Sequence, residues 1–181
     1  MIALAALALA LPQSPTTSPD SSFSYTYLDV RFDYVDFEGG DDVGFTLEGA
    51  YDLFPNVFVL GEYQRLTEDS NLDTVLVGAG YQLPIASRTD FTGDAALLQV
   101  ESGSDDEEGF RLRAGVRHQL TDPLELDAYL IHLNVDSDAD TGVKLGGLYR
   151  WSPTSPLRVV GSYTRFDNDT DLFDVGVRLD F

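Results

Sequence analysis

Phe110, Leu112, Ala114, Val116, His118 and Leu120 alternate with Arg111, Arg113, Gly115, Arg117 and Gln119. A period of two means an extended strand with one apolar and one polar face. The same alternation runs through Phe45, Leu47, Gly49, Tyr51 and Leu53 against Thr46, Glu48, Ala50 and Asp52. It returns at the end in Phe173, Val175, Val177, Leu179 and Phe181 against Asp174, Gly176, Arg178 and Asp180. Ten such segments are predicted, at 24–36, 43–54, 56–67, 73–84, 89–101, 109–120, 124–135, 141–152, 156–167 and 171–181. Their spacing leaves no room for a long helix. The first, third, fifth and seventh are less regular. The seventh, LELDAYLIHLNV, loses its alternation after Leu130, which predicts a bulge there or emergence from the apolar zone.

The connections alternate between two kinds. Segments 36–42, 67–73, 101–109, 134–142 and 167–171 hold 18 of the 31 acidic residues and no Lys or Arg. Segments 54–56, 84–90, 121–123 and 152–156 are marked by proline. In an up-and-down meander, alternate connections lie at opposite ends. All the acid-rich loops therefore share one end, and an even strand count puts both chain ends at the other.

An antiparallel meander of ten strands is expected to close, because closure removes the edges. Either face could then point outward. A soluble barrel turns its apolar face inward, whereas a membrane barrel turns it to lipid and keeps a polar interior. Strand lengths near the ~9–11 residues needed to cross a bilayer favour lipid. So do Tyr51, Tyr63, Tyr81, Tyr149, Trp151, Tyr163 and Phe181, aromatics near strand ends on the apolar face. Longer loops on the acidic side and tight turns on the proline side are expected on the same grounds.

Composition narrows the classes. The net charge is −20, which excludes a general nucleic-acid binder. There is no cysteine, hence no disulfide framework and no thiolate metal site. Residues 2–11 form an apolar run too short to cross a bilayer as a helix, and Ala8-Leu9-Ala10 offers a small-residue cleavage site. Residues 1–10 are read as a signal peptide, although no basic residue precedes the run; either the start is truncated or the segment is of another kind. Residues 11–22, rich in Pro, Ser and Thr, read as a disordered tether, and 23–181 as the barrel.

Together, the signal-like start, the ten alternating segments over 23–181 and the terminal VGVRLDF resemble the small bacterial outer-membrane β-barrels of the OmpA-like and porin-like group. The expected fold is all-β, a ten-stranded antiparallel up-and-down transmembrane β-barrel in the outer membrane with both termini periplasmic. The resemblance implies outer-membrane lipid as the surrounding medium and the barrel-assembly machinery as a partner in biogenesis. It also implies that Phe173, Val175, Val177, Leu179 and Phe181 form the C-terminal assembly signal.

The expected functional feature is a charged lumen. Its basic members are Arg31, Arg111, Arg113, Arg117, Lys144, Arg150, Arg158 and Arg178. Its acidic members are Asp29, Asp33, Glu48, Asp52, Glu62, Asp94, Glu125, Asp127 and Asp174. Two readings stay open: a salt-bridged plug, since buried charges must pair, or a transverse field across a narrow water-filled pore. The function expected is a structural, envelope or narrow-pore role. An adhesion module acting through the acidic loops and a secreted soluble ligand carrier are the alternatives.

No enzyme and no cofactor are expected. His118 is followed by Gln119 and Leu120, and His132 by Leu133 and Asn134, so neither offers the nearby serine of barrel lipid A deacylases. Asp136, Asp138 and Asp140 imitate the opening of a calcium loop, but position six is Thr141 and position twelve is Gly147, where an EF-hand needs Gly and Glu. They remain weak metal candidates, with loose divalent cations as partners of the clustered carboxylates.

Overall fold

The computed structural model describes residues 23–67, 72–103, 105–136, 138–152 and 154–181. The signal peptide and tether expected over 1–22 lie outside the described residues. Ten strands follow in order: β1 Tyr27–Phe37, β2 Gly40–Phe54, β3 Val57–Leu66, β4 Leu72–Ala86, β5 Thr89–Ser102, β6 Asp105–Thr121, β7 Leu124–Val135, β8 Asp138–Tyr149, β9 Leu157–Phe166 and β10 Asp171–Asp180. Each pairs antiparallel with its chain neighbours, and β10 pairs with β1, so the sheet is a closed barrel.

The face question is answered by exposure. On β1, Leu28, Val30, Phe32 and Tyr34 face outward, while Asp29, Arg31 and Asp33 are buried. The parity holds around the barrel, from Leu97 and Leu112 outside to Asp94 and Arg111 inside. A polar interior with an apolar exterior is the membrane arrangement. Aromatics mark both edges of the outer surface. Tyr51, Tyr81, Tyr149, Trp151 and Phe181 stand at the proline end. Tyr34, Phe173 and Tyr163 pack together at the acidic end, as do Phe45 and Tyr63. The hydroxyls of Tyr63 and Tyr163 donate to Asp73 (2.6 Å) and Asp171 (2.7 Å), tying that girdle to the acidic rim.

Three expectations are corrected: the acidic segments as loops, the longer loops on the acidic side, and a bulge in β7. The acid-rich segments are mostly strand rather than loop: Asp36, Asp41, Asp42, Asp73, Glu101, Asp106, Glu107, Glu108, Asp138, Asp140 and Asp171 all lie within strands. Ladder hydrogen bonds continue past the apolar zone, and tight hairpins need only one or two residues of positive φ. Gly39, Gly103, Asp136 and Asp169 supply them. The longest connection, 150–156, is on the proline side. Of the two readings of β7, the bulge after Leu130 is excluded, because pairing with β6 and β8 is continuous there, whereas emergence from the apolar zone agrees with the polar outward positions His132 and Asn134. The register shifts instead sit beside the proline-side turns, at Asp52/Phe54, Pro84/Ala86 and Gln119/Thr121. The alternation fades because the inward positions Ile131, Leu133 and Val135 are themselves apolar.

Candidate functional site

The lumen is built from one face of every strand, and its chemistry changes with depth. At mid-depth it holds an ionic belt. Arg178 forks onto both oxygens of Asp29 at 2.7 Å each. Arg31 meets Glu48 at 2.5 Å and Asp174 at 3.8 Å. Glu48 also accepts from the Tyr27 hydroxyl at 2.6 Å. Arg113 meets Asp94 at 2.7 Å and reaches Glu48 at 3.9 Å. Arg111 meets Glu62 at 3.0 Å and Asp94 at 3.6 Å. Lys144 stands 3.7 Å from Asp174.

Several of these pairs are not between adjacent strands. Arg111 and Arg113 project from β6, whereas Glu62 lies on β3 and Glu48 on β2. They therefore act as struts across the interior. Glycine makes room for the rings among them. A Cβ on Gly80 would stand 2.2 Å from the Phe58 ring, and one on Gly115 would stand 2.4 Å from the Tyr129 ring. The free space left at this depth is a cavity of about 50 Å³, bordered by Tyr27, Arg113, Tyr129 and Lys144.

At the proline end a second network closes the mouth. Glu125 holds Arg117 (2.6 Å) and Arg158 (2.9 Å), and Arg158 continues to Asp180 (2.5 Å). Residues 23–26, ahead of β1, are tucked into this network. Arg117 lies over the Phe23 ring at 4.9 Å and the Tyr25 ring at 4.5 Å, both within cation–π range. The Tyr25 ring stacks on Phe58 at 5.3 Å, and its hydroxyl donates to Asp90 at 3.1 Å.

Toward the acidic end the lumen widens into a vestibule of about 260 Å³. Its floor is the belt and its wall is largely apolar, with Val35, Leu66, Leu76, Leu98, Val100, Ile131, Leu133, Phe166 and Leu172.

With the closed barrel, the outward apolar face and the charged lumen established, comparison with known proteins is informative. Residues 1–146 match the family model described as outer membrane protein beta-barrel domain. The chain belongs to this family. No curated protein matches the outer-membrane barrel's sequence. Among solved structures, it is similar to the KdgM porin in complex with disordered oligogalacturonate. That pair is 12% identical with a TM-score of 0.54, covering 86% of this chain and 99% of the other. It is also similar to the NanC porin, at 9% identity and a TM-score of 0.56, covering 85% of this chain and all of the other. At such identities the likeness is one of fold.

In this outer-membrane barrel all eight expected lumen cations lie on the inner side with a carboxylate within 4.0 Å; Arg150 is the loosest, 3.8 Å from Asp180. Among the expected acids, Asp33 accepts from Thr46 and Gln64 (3.0 Å) rather than from a cation at ion-pair distance. Asp52 accepts a long bond from Gln82 (3.4 Å). Asp127 lines the mid-depth cavity beside Gly146, where a Cβ would stand 2.5 Å from its carboxylate. The C-terminal row Phe173, Val175, Val177 and Phe181 is exposed on the outer face, with Leu179 half-buried. Asp136 sits in a turn with φ 53°, and Asp138 and Asp140 follow on β8. Among the described residues no group of three carboxylates or histidines is arranged to hold a metal.

The charge pattern did not reveal the parts that close the barrel. Asp180 and Asp90 stand next to a turn or the terminus, where the charge pattern alone does not separate lumen from rim. Phe23 and Tyr25 continue the inward parity of β1 (Tyr27, Asp29, Arg31), and that parity was the available signal. The apolar vestibule wall was hidden because inward and outward positions on β4, β5 and β7 are both apolar at that depth.

Proposed function

We propose that this protein is an envelope component whose lumen is shut to free diffusion, a stabilised barrel or at most a very narrow pore. The struts Arg111–Glu62 and Arg113–Glu48 carry this reading, since they cross the lumen and leave about 50 Å³ at mid-depth. That volume accommodates a water or two, at about 30 Å³ each in the liquid, and no solute. The charged lumen thus acts as a paired plug rather than a transverse field, and the barrel performs no chemistry.

The acidic end is assigned to the cell exterior and the proline end to the periplasm, and with an even number of strands both ends of the barrel chain lie on the proline side. The outward row ending at Phe181 is assigned to recognition by the assembly machinery. KdgM is described in complex with oligogalacturonate; here the acidic rim repels a polyanion of that type. The rim carboxylates attract divalent cations loosely.

Conductance across planar bilayers tests this reading. The refolded chain is expected to give at most small, brief events. A steady ohmic channel from the unaltered protein overturns it.

A further inference from the structure

A membrane barrel ordinarily keeps a polar interior. Here Leu66, Leu76, Leu98, Ile131, Leu133 and Leu172 point into the lumen above the belt and border the vestibule. These six apolar side chains, spread over more than one rung and set among threonines, form a collar that leaves about 260 Å³ unfilled. That is just under the ~300–1,000 Å³ of typical ligand pockets. At about 30 Å³ per water-sized group, it holds roughly eight or nine non-hydrogen atoms.

The floor supplies a polar contact. Lys144 borders the vestibule, and its Nζ has Asp174 at 3.7 Å, beyond hydrogen-bond reach. An ammonium has three donors and no acceptor. A ligand head resting there must therefore accept hydrogen bonds. Its charge is set by the surroundings. The belt below is close to charge balance, and the rim above is acidic, so an anion gains no net field and is repelled on entry. A cationic head is repelled by Lys144 itself and costs desolvation.

We propose that the vestibule binds one uncharged, single-tailed amphiphile with a hydrogen-bond-accepting head, the head on Lys144 and the tail against the collar. The site rests on the closed floor proposed above, yet conductance reads the floor and vestibule titration reads the site, so the two readings fail separately.

The chain has three isoleucines, Ile2, Ile85 and Ile131, which makes the test direct. Ile131 borders the vestibule, and Ile85 is exposed on the lipid face. The full chain, with 13C-labelled isoleucine δ1-methyls, is refolded into phosphatidylcholine nanodiscs and titrated with 2-octanone, octanoate or octylamine. With 2-octanone, the Ile131 methyl is expected to shift saturably, while Ile85 follows only linear partition into lipid. Leu98→Gln is expected to abolish the saturable shift. Lys144→Met weakens it roughly three- to tenfold, the effect of about one lost hydrogen bond, and Lys144→Gln, which keeps a donor, retains most of the affinity. Heat-modifiable gel mobility establishes that each variant is folded. An Ile131 methyl that does not saturate with 2-octanone in the folded protein overturns the site. Equal or tighter binding of octanoate or octylamine overturns the uncharged head, and unchanged affinity in Lys144→Met overturns the contact with Lys144.

Discussion

Arg178 and Asp29 face each other across the seam where the last strand meets the first, joined by two parallel hydrogen bonds of 2.7 Å. The guanidinium carbon also lies 3.7 Å from the centre of the Tyr27 ring. The pair is buried, so each charge depends on the other for solvation. Asp29→Ala is expected to lower stability by about 3–5 kcal/mol, the usual cost of stranding one member of a buried pair. Replacing both, as Asp29→Leu with Arg178→Met, should come close to neutral. Urea unfolding in lipid vesicles measures both. A loss of less than about 1 kcal/mol in Asp29→Ala would remove this pair from the closing seam's energetics.

Gly80 faces Phe58 across the β3–β4 pair, with no space between backbone and ring for a methyl group. Gly80→Ala is expected to cost about 1–3 kcal/mol through overpacking. In a Phe58→Ala background the same change should be nearly free. The coupling in that double-mutant cycle, about 0.5–3 kcal/mol for residues in contact, separates a steric cause from a backbone one. Equal costs in both backgrounds would exclude the steric cause.

Period-two alternation was enough to place ten strands and their antiparallel order, since membrane strands must segregate apolar from polar side chains residue by residue; the outward face was legible only from the strand lengths and the aromatics near strand ends. Charged inward residues such as Arg111, Arg113 and Glu48 were legible for the same reason. Their partners across the lumen were not: which strands face each other across a closed barrel depends on register and curvature, and β6 meeting β2 leaves no trace in local sequence. The rim reads as loop in the sequence because acidic residues are poor strand formers in isolation. Paired with β5, Asp105–Glu108 extend β6 all the same.

The segment bearing Phe23 and Tyr25 is held in the proline-side mouth by the Arg117 face and the Tyr25–Asp90 hydrogen bond. Removing both rings should admit small solutes to that end of the lumen. The absence of native cysteine allows a single Gln82→Cys reporter. Its reaction with a water-soluble methanethiosulfonate reagent is expected to be slow in the otherwise unaltered chain. It should be at least several-fold faster in Phe23→Ala/Tyr25→Ala. Equal rates would mean that these rings do not limit access.

Orientation is open to a labelling test in intact cells. Glu38 lies in the β1–β2 turn at the acidic end, and Asn56 in the β2–β3 turn at the proline end. A membrane-impermeant maleimide is expected to label Glu38→Cys in whole cells, and Asn56→Cys only after the outer membrane is permeabilised. The reverse pattern would invert the barrel in the membrane.

Leu97 and Leu98 are adjacent on β5 and differ by half a pleat, yet the first is 75% exposed and the second 6%. If the apolar exterior meets lipid, the two positions must respond oppositely to charge. Leu97, paired with Val77 and Phe110 near the middle of its strand, projects toward hydrocarbon. Arginine there should cost about 2–4 kcal/mol, the penalty at a bilayer midplane. Leu98 projects into the vestibule above a belt containing carboxylates, so arginine there can be solvated and partly paired and should cost less than half as much. In a soluble barrel with water outside, Leu97→Arg would be nearly silent, because exposed substitutions fall within about 0.5 kcal/mol. Refolding equilibria of the two variants in lipid vesicles therefore decide which medium surrounds the barrel. The lipid assignment requires Leu97→Arg to be the more damaging by at least about 1 kcal/mol.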